Sequence, residues 1–198
     1  NDVLLNTVDV TLTPPVDPPA EYTLDHTYST EIKDIVYNTL GQMLEMTKIT
    51  VDGLLTTTKT DTENRTYNTL GQLIYSKSEI LQQADGQNDQ ISTSEMMDLV
   101  YNTLGQILTM KRITDDGTYT TTETDLENRQ YNQMDKLVYS KSLVVKEAEG
   151  FYEEKIVTTE DIYYNTLGQI ASMTKVTVDE GLTTTERDIE NRQYNQQG

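Results

Sequence analysis

The string Tyr-Asn-Thr-Leu-Gly-Gln occurs four times in this chain, starting at Tyr37, Tyr67, Tyr101 and Tyr164. Degenerate copies start at Tyr131 (Tyr-Asn-Gln-Met-Asp-Lys) and Tyr194 (Tyr-Asn-Gln-Gln-Gly). Successive tyrosines are 30, 34, 30, 33 and 30 residues apart, so short and long units alternate with a true period of about 64. Other landmarks keep this phase. Asp52-Gly53 matches Asp116-Gly117 and Glu180-Gly181, and Thr56-Thr57-Thr58 matches Thr120-Thr121-Thr122 and Thr183-Thr184-Thr185. Glu63-Asn64-Arg65 matches Glu127-Asn128-Arg129 and Glu190-Asn191-Arg192, and Tyr75-Ser76-Lys77-Ser78 matches Tyr139-Ser140-Lys141-Ser142. Ile32-Lys33-Asp34-Ile35-Val36 lines up with Met96-Met97-Asp98-Leu99-Val100.

Each landmark has a backbone reading. Asn-Thr-Leu-Gly predicts a turn, with Gly41, Gly71, Gly105 and Gly168 at the position of positive φ. The Asp-Gly pairs at Gly53 and Gly117, and the Glu-Gly pair at Gly181, signal hairpins. A looser turn class falls at Ala84-Asp85-Gly86-Gln87-Asn88-Asp89 and Glu147-Ala148-Glu149-Gly150. Between turns lie Thr-, Ile-, Val- and Tyr-rich runs long enough for extended, sometimes bulged strands. The expected fold is all-β: an antiparallel meander of long hairpins, an elongated or spiral sheet with an extra N-terminal strand. In the strand after Gly41, Met43, Ile49 and Val51 fall on one face while Leu44 and Met46 fall on the other; Ile107 and Ile113 split likewise against Leu108 and Met110. Both faces are therefore expected to be partly covered, by a sheet spiralling over itself or by packing between chains. The tyrosines that open each Tyr-Asn turn (Tyr37, Tyr67, Tyr101, Tyr131, Tyr164) read as packing across hairpins.

Three segments follow. Residues 1–13, with Val3, Leu4, Leu5, Val8, Val10 and Leu12, read as a strand; residues 14–26, with Pro14-Pro15 and Pro18-Pro19, as a stiff linker; residues 27–198 as the repeat domain. Composition agrees with a thin structure in which units bury themselves against neighbours: hydrophobic residues make up 35%, Trp is absent and there is one Phe, against 13 Tyr. The formal net charge of −18 repels phosphate backbones, so no nucleic-acid partner is expected. The absence of Cys excludes disulfides and thiolate metal sites. No run approaches ~18 apolar residues, so no membrane-spanning helix is expected. No signal peptide is visible, and a start at Asn1 reads as a processed product or an excised fragment.

The linked series of Tyr-Asn-Thr-Leu, Gly-Gln-Leu, Asp-Gly and Thr-Thr-Thr resembles the YD repeat of Rhs proteins, wall-associated proteins and teneurins. The resemblance covers residues ~27–198. It departs from the family pattern in having Asn for the usual Asp, Gln for the usual Arg, and Asp135 for one turn glycine. It implies long hairpins wound into a spiral sheet and a bacterial, extracellular or cell-surface setting. In large members that sheet closes into a shell around a toxin. This chain is too short for a closed shell and carries no toxin domain or self-cleaving protease core.

No catalytic constellation is visible, and the chain is not expected to be an enzyme. His26 stands alone in the linker, and no phosphate loop or metal-spaced His set occurs. No cofactor is expected. The best Ca²⁺ candidates are Asp61 with Glu63, Asp125 with Glu127, and Asp188 with Glu190, because oxygen ligands at i and i+2 share one face of a strand. The competing reading is that the Glu and Arg of each segment pair with neighbours in the sheet. The Thr triplets invite an ice-binding reading, but strand propensity explains them. Exposed Tyr would also suit glycan stacking.

The repeat stops at Tyr194 and the residues after it, on a turn without its following strand. The expectation is that residues 1–13 add to the sheet of an adjacent subunit by β-augmentation, giving a head-to-tail filament. Alternatives are an adhesive or carbohydrate-binding surface module, or a fragment of an Rhs-type shell.

Overall fold

A computed structural model describes residues 28–193 and the backbone of Asn6–Val8. The linker, His26 and Tyr194 lie outside the described residues, as do Val3, Leu4, Leu5, Val10 and Leu12 of the N-terminal strand. Among the described residues there is no helix, so none is long and apolar enough to cross a membrane. The strands are β1 (Asn6–Val8), β2 (Tyr28–Tyr37), β3 (Met43–Asp52), β4 (Leu55–Tyr67), β5 (Leu73–Ala84), β6 (Gln90–Tyr101) and β7 (Ile107–Asp115). There follow β8 (Thr120–Asp125), β9 (Gln130–Tyr131), β10 (Leu137–Ala148), β11 (Phe151–Tyr164), β12 (Ile170–Asp179) and β13 (Leu182–Arg187). They form the expected antiparallel meander, strand order following chain order, with the short β9 paired to β10 off the main path.

The chain divides into two compact units: residues 1–66 with 76–94, and residues 67–75 with 95–198. In the first, β1 meets β2 over three pairs, Asn6↔Thr30, Thr7↔Ser29 and Val8↔Tyr28. The strand expected to leave its own chain thus pairs with its own repeat here. β2 pairs with β3 and β3 with β4, whose contact runs from Thr47↔Thr60 to Asp52↔Leu55. In the second unit β7 pairs with β8, β8 with β10, β10 with β11, β11 with β12, and β12 with β13.

The turns fall where the landmarks put them. Gly41, Gly71, Gly105 and Gly168 all have φ between 76° and 81°. The expected match among the Asp-Gly and Glu-Gly pairs is off by one residue. Asp52↔Leu55 and Asp179↔Leu182 enclose equivalent two-residue loops, and Gly53 is first in its loop whereas Gly181 is second. Glu180 takes the first place at φ 45°. The third loop therefore has two positive-φ residues, the other type of twist-matched hairpin turn.

The bulges expected in some strands recur at a fixed place that the sequence reading did not assign. The β2–β3 register shifts between Lys33 and Val36, and the β11–β12 register shifts between Glu160 and Tyr163. Asp34 and Asp161 sit inside these bulges at φ 54° and 52°, and Asp98 of β6 has φ 55°. Asp tolerates this left-handed region better than most side chains. Its recurrence in phase, in strands where Asp is normally depleted, was the available signal.

The core is a line rather than a layer. In the first unit the buried residues are Thr47 (β3), Asp61 (β4) and Ser78 (β5). In the second, Leu99 (β6), Met110 (β7), Ser142 (β10), Ile162 (β11) and Thr174 (β12) are buried. Leu99, Met110 and Ile162 are the buried apolar residues among those described, and the remaining strand positions on both faces are half-exposed or exposed. Neither face carries a packed second layer within its unit, so stability rests mainly on backbone pairing, turns and this polar stripe.

Candidate functional site: a turn ladder, a buried ion-pair stripe and two open edges

The Tyr-Asn turns are built around one asparagine. In the turn at Tyr101, the Asn102 side-chain oxygen accepts the Leu104 and Gln106 amides at 2.9 and 3.0 Å. The Asn102 backbone N–H donates to the Gln106 carbonyl at 2.9 Å, and Gly105 N–H donates to Asn102 C=O at 3.1 Å. The side-chain Nδ2 of Asn102 donates to Gln106 Oε1. The same set recurs at Asn38/Gln42, Asn68/Gln72 and Asn165/Gln169. The Asn and Gln of each of these four turns are therefore hydrogen-bonded to each other through their side chains. Asp135, which replaces a turn glycine, adopts φ 59° and accepts Gln106 Nε2 at 2.7 Å. Asn102, Gln106 and Asp135 form a directed chain of donors and acceptors linking consecutive turns.

Tyrosine supplies a second link between turns. Tyr101 Oη donates to Leu73 C=O at 2.6 Å, Tyr131 to Ile107 C=O at 2.7 Å, and Tyr164 to Leu137 C=O at 2.6 Å. Each ring is half-buried, and that burial raises all three phenol pKa values; at Tyr131 the Arg129 charge opposes the rise. Tyr101, Tyr131 and Tyr164 of the five expected tyrosines are thus bonded across hairpins. Tyr37 is exposed. At the turn tips Leu40, Leu70, Leu104, Met134 and Leu167 are each exposed by 67% or more.

The Asp-x-Glu-Asn-Arg segments form the stripe. Asp61 Oδ2 accepts Arg65 Nε at 2.9 Å and the Met46 amide at 3.0 Å. Asp125 repeats this with Arg129 at 2.8 Å and Met110 at 2.9 Å, and also accepts Ser142 Oγ at 3.0 Å. Asp188 repeats it with Arg192 and Met173. The Asp61 and Asp125 side chains are 1% and 0% exposed; Asp188 is 26% exposed. The Arg192 hydrogen bond holds the Asp188 carboxyl below its usual range, helped by the Met173 amide and opposed by partial burial.

The glutamates take other partners. Glu63 pairs with Lys77 and Glu127 with Lys141, while Tyr139 Oη also donates to Glu127. The Lys141 bond, then the Tyr139 bond, lowers the Glu127 pKa. Glu190 is exposed. The two carboxylates of each of the first two segments thus bind separate cations rather than a common centre. Among the described residues no three acidic, His or Cys side chains gather as metal ligands would. Sequence reasoning placed Glu with a sheet neighbour but missed the Asp–Arg pair, whose four-residue spacing is not a same-face strand spacing.

The sheet has two open edges among the described residues. β1 pairs with β2 alone, and β13 pairs with β12 alone. All six residues of β13 are exposed, whereas all six of β8, its counterpart one period earlier, are half-buried between β7 and β10. Of the expected assembly residues, Val8 faces Tyr28 in backbone register. No protein-family model, no curated protein and no solved structure matches this chain.

Proposed function

We propose that the chain is a structural protein, a β-repeat element that self-associates by strand addition into a surface filament or stalk rather than catalysing a reaction. The observation that carries this reading is that one repeated strand type pairs along both of its edges: the Thr-Thr-Thr row of β8 recurs in β4 and β13, and β8 lies between β7 and β10. An exposed row of unpaired N–H and C=O groups is a template for another strand. Among the described residues only Leu99, Met110 and Ile162 are buried apolar side chains, so edge pairing rather than face packing is the favoured route to association. The extracellular setting rests on the YD-like landmarks. A heterologous edge contact that does not close propagates as a fibre.

The test is negative-stain microscopy and light scattering of the purified chain beside a variant lacking residues 1–13. The full chain is expected to form filaments and the deletion variant to stop at monomers or short oligomers. Unchanged filaments after the deletion, or a full chain that stays monomeric at every concentration, overturns the reading.

A further inference from the structure

In the second unit the strand connections alternate between two margins of the sheet. The Tyr-Asn turns, tipped by Leu70, Leu104, Met134 and Leu167, share one margin, and the turns at Gly117, Gly150 and Gly181 share the other. Their chemistry is opposite. The hexads starting at Tyr67, Tyr101 and Tyr164 hold no charged residue, and the one starting at Tyr131 holds Asp135 and Lys136, whose charges cancel. The other margin carries Asp115, Asp116, Glu147, Glu149, Asp179 and Glu180 at or beside its turns, with Lys146 next to them. The acidic excess of a chain with net charge −18 thus stops short of the Tyr-Asn margin.

Each tip fills the third place of its turn, where Gly, Asn, Asp and Ser are the ordinary choices. Three leucines and a methionine stand there instead, each 67% or more exposed. Neighbouring turns are tied by the Tyr101, Tyr131 and Tyr164 hydroxyl bonds and by the Gln106–Asp135 bond, so the tips form a row fixed by the sheet. Two strand spacings, about 10 Å, separate one tip from the next. The turn backbone also keeps its hydrogen bonds to itself. At Tyr101 the N–H groups of Asn102, Leu104, Gly105 and Gln106 all donate within the turn, and the turns at Asn68 and Asn165 repeat this. An N–H with a partner inside its own loop loses little when water withdraws, whereas an unpaired one is costly to bury.

We infer that this margin docks on the surface of an electrically neutral lipid bilayer, with the four apolar tips entering the boundary between headgroups and acyl chains and the acidic margin facing water. A row of four side chains falls well short of the ~20–30 residues a side that a stable protein interface uses, which argues against a second copy as the occupant. Fluid hydrocarbon accepts each isolated side chain without a matching pocket, and each one transferred adds to binding. Anionic headgroups would repel a chain of charge −18, so the lipid is a zwitterionic one. The inference is independent of strand addition.

Flotation with phosphatidylcholine vesicles tests it. The full chain is compared with a tip variant carrying Leu70→Ser, Leu104→Ser and Leu167→Ser, and with a control carrying Leu54→Ser and Leu182→Ser, which removes exposed leucines from the Asp-Gly and Glu-Gly loops. The full chain and the control are expected to float, and the tip variant's partitioning to fall at least about tenfold, because three side-chain transfers are lost. Leu104→Ser alone is expected to lose severalfold, and replaces the tip variant if that one melts early. Adding phosphatidylserine to the vesicles is expected to weaken binding and NaCl to restore it. A full chain that does not float, a control that falls as far as the tip variant, or tighter binding to the anionic vesicles overturns the inference. Microscopy of the same variants without lipid reads filament formation separately, so failure here leaves strand addition standing.

Discussion

At the scale of single residues, burial decides what the Asp-x-Glu-Asn-Arg segments contribute. Asp125 accepts bonds from Arg129, Met110 N–H and Ser142, with its side chain 0% exposed. Removing it strands a guanidinium and an amide, while the Ser142 hydroxyl keeps its bond to Glu123. Asp125→Ala is expected to cost about 3 kcal/mol, the range for leaving one member of a buried ion pair alone. Asp188 makes the equivalent bonds to Arg192 and Met173 at a site where the carboxylate is 26% and the arginine 39% exposed. Water replaces the lost partner there, so Asp188→Ala is expected to cost clearly less than Asp125→Ala. Urea midpoints of the two variants measure the difference. Equal losses would show that something other than desolvation sets the cost.

At the scale of elements, the turn ladder ties one hairpin to the next. The three phenols that donate to Leu73, Ile107 and Leu137 carbonyls have pKa values raised by burial. A group whose pKa is higher folded than unfolded stabilises the fold fully below its unfolded pKa, and that contribution is lost as pH rises through the folded value. The loss therefore lies on the alkaline side, above about pH 10. Tyr131→Phe is expected to cost about 1 kcal/mol at neutral pH, the net worth of one hydrogen bond. It should also flatten the alkaline decline in stability relative to the unmodified chain, measured by thermal melts across pH. A variant with the same alkaline slope would show that Tyr131 does not titrate against folding.

The same elements show what the amino-acid order reveals and what it hides. Turn sites were legible because Gly41, Gly71, Gly105 and Gly168 mark a φ that few residues accept. Asp135 fills that role in one turn through Asp's own tolerance of the left-handed region and a bond from Gln106. Bulged strands were expected from the uneven alternation, but their positions at Asp34 and Asp161 were not, because no turn residue marks them. The Asp–Arg pairs were hidden for a related reason: counting i and i+2 along a strand groups Asp61 with Glu63, whereas the arginine of the same segment folds back onto the aspartate. Of the candidate assembly residues, strand pairing places Val8 opposite Tyr28, a register no repeat landmark indicated.

At the scale of the whole molecule, charge opposes association. The formal net charge is −18, and two copies brought together repel at long range. Salt shortens that reach to about 8 Å at 0.15 M, while backbone pairing is only weakly screened. Light scattering is therefore expected to show more and larger assemblies as NaCl rises from ~0.01 M towards physiological strength, since the screening length falls several-fold over that interval. Dissociation on adding salt would mean that ion pairs, rather than strand edges, hold copies together.

The Tyr-Asn ladder has a genetic corollary. Four near-identical strings encode equivalent turns, and the bonds that tie the turns together depend only on the preceding turn being in phase. Misaligned recombination between the strings at Tyr37 and Tyr101 would excise or duplicate a 64-residue cassette and rejoin the chain inside an intact turn. Each product keeps the bulge, the Asp–Arg pair and the tyrosine bond in their cyclic order. A lineage carrying this gene can therefore lengthen or shorten its product in whole cassettes without a single residue having to change.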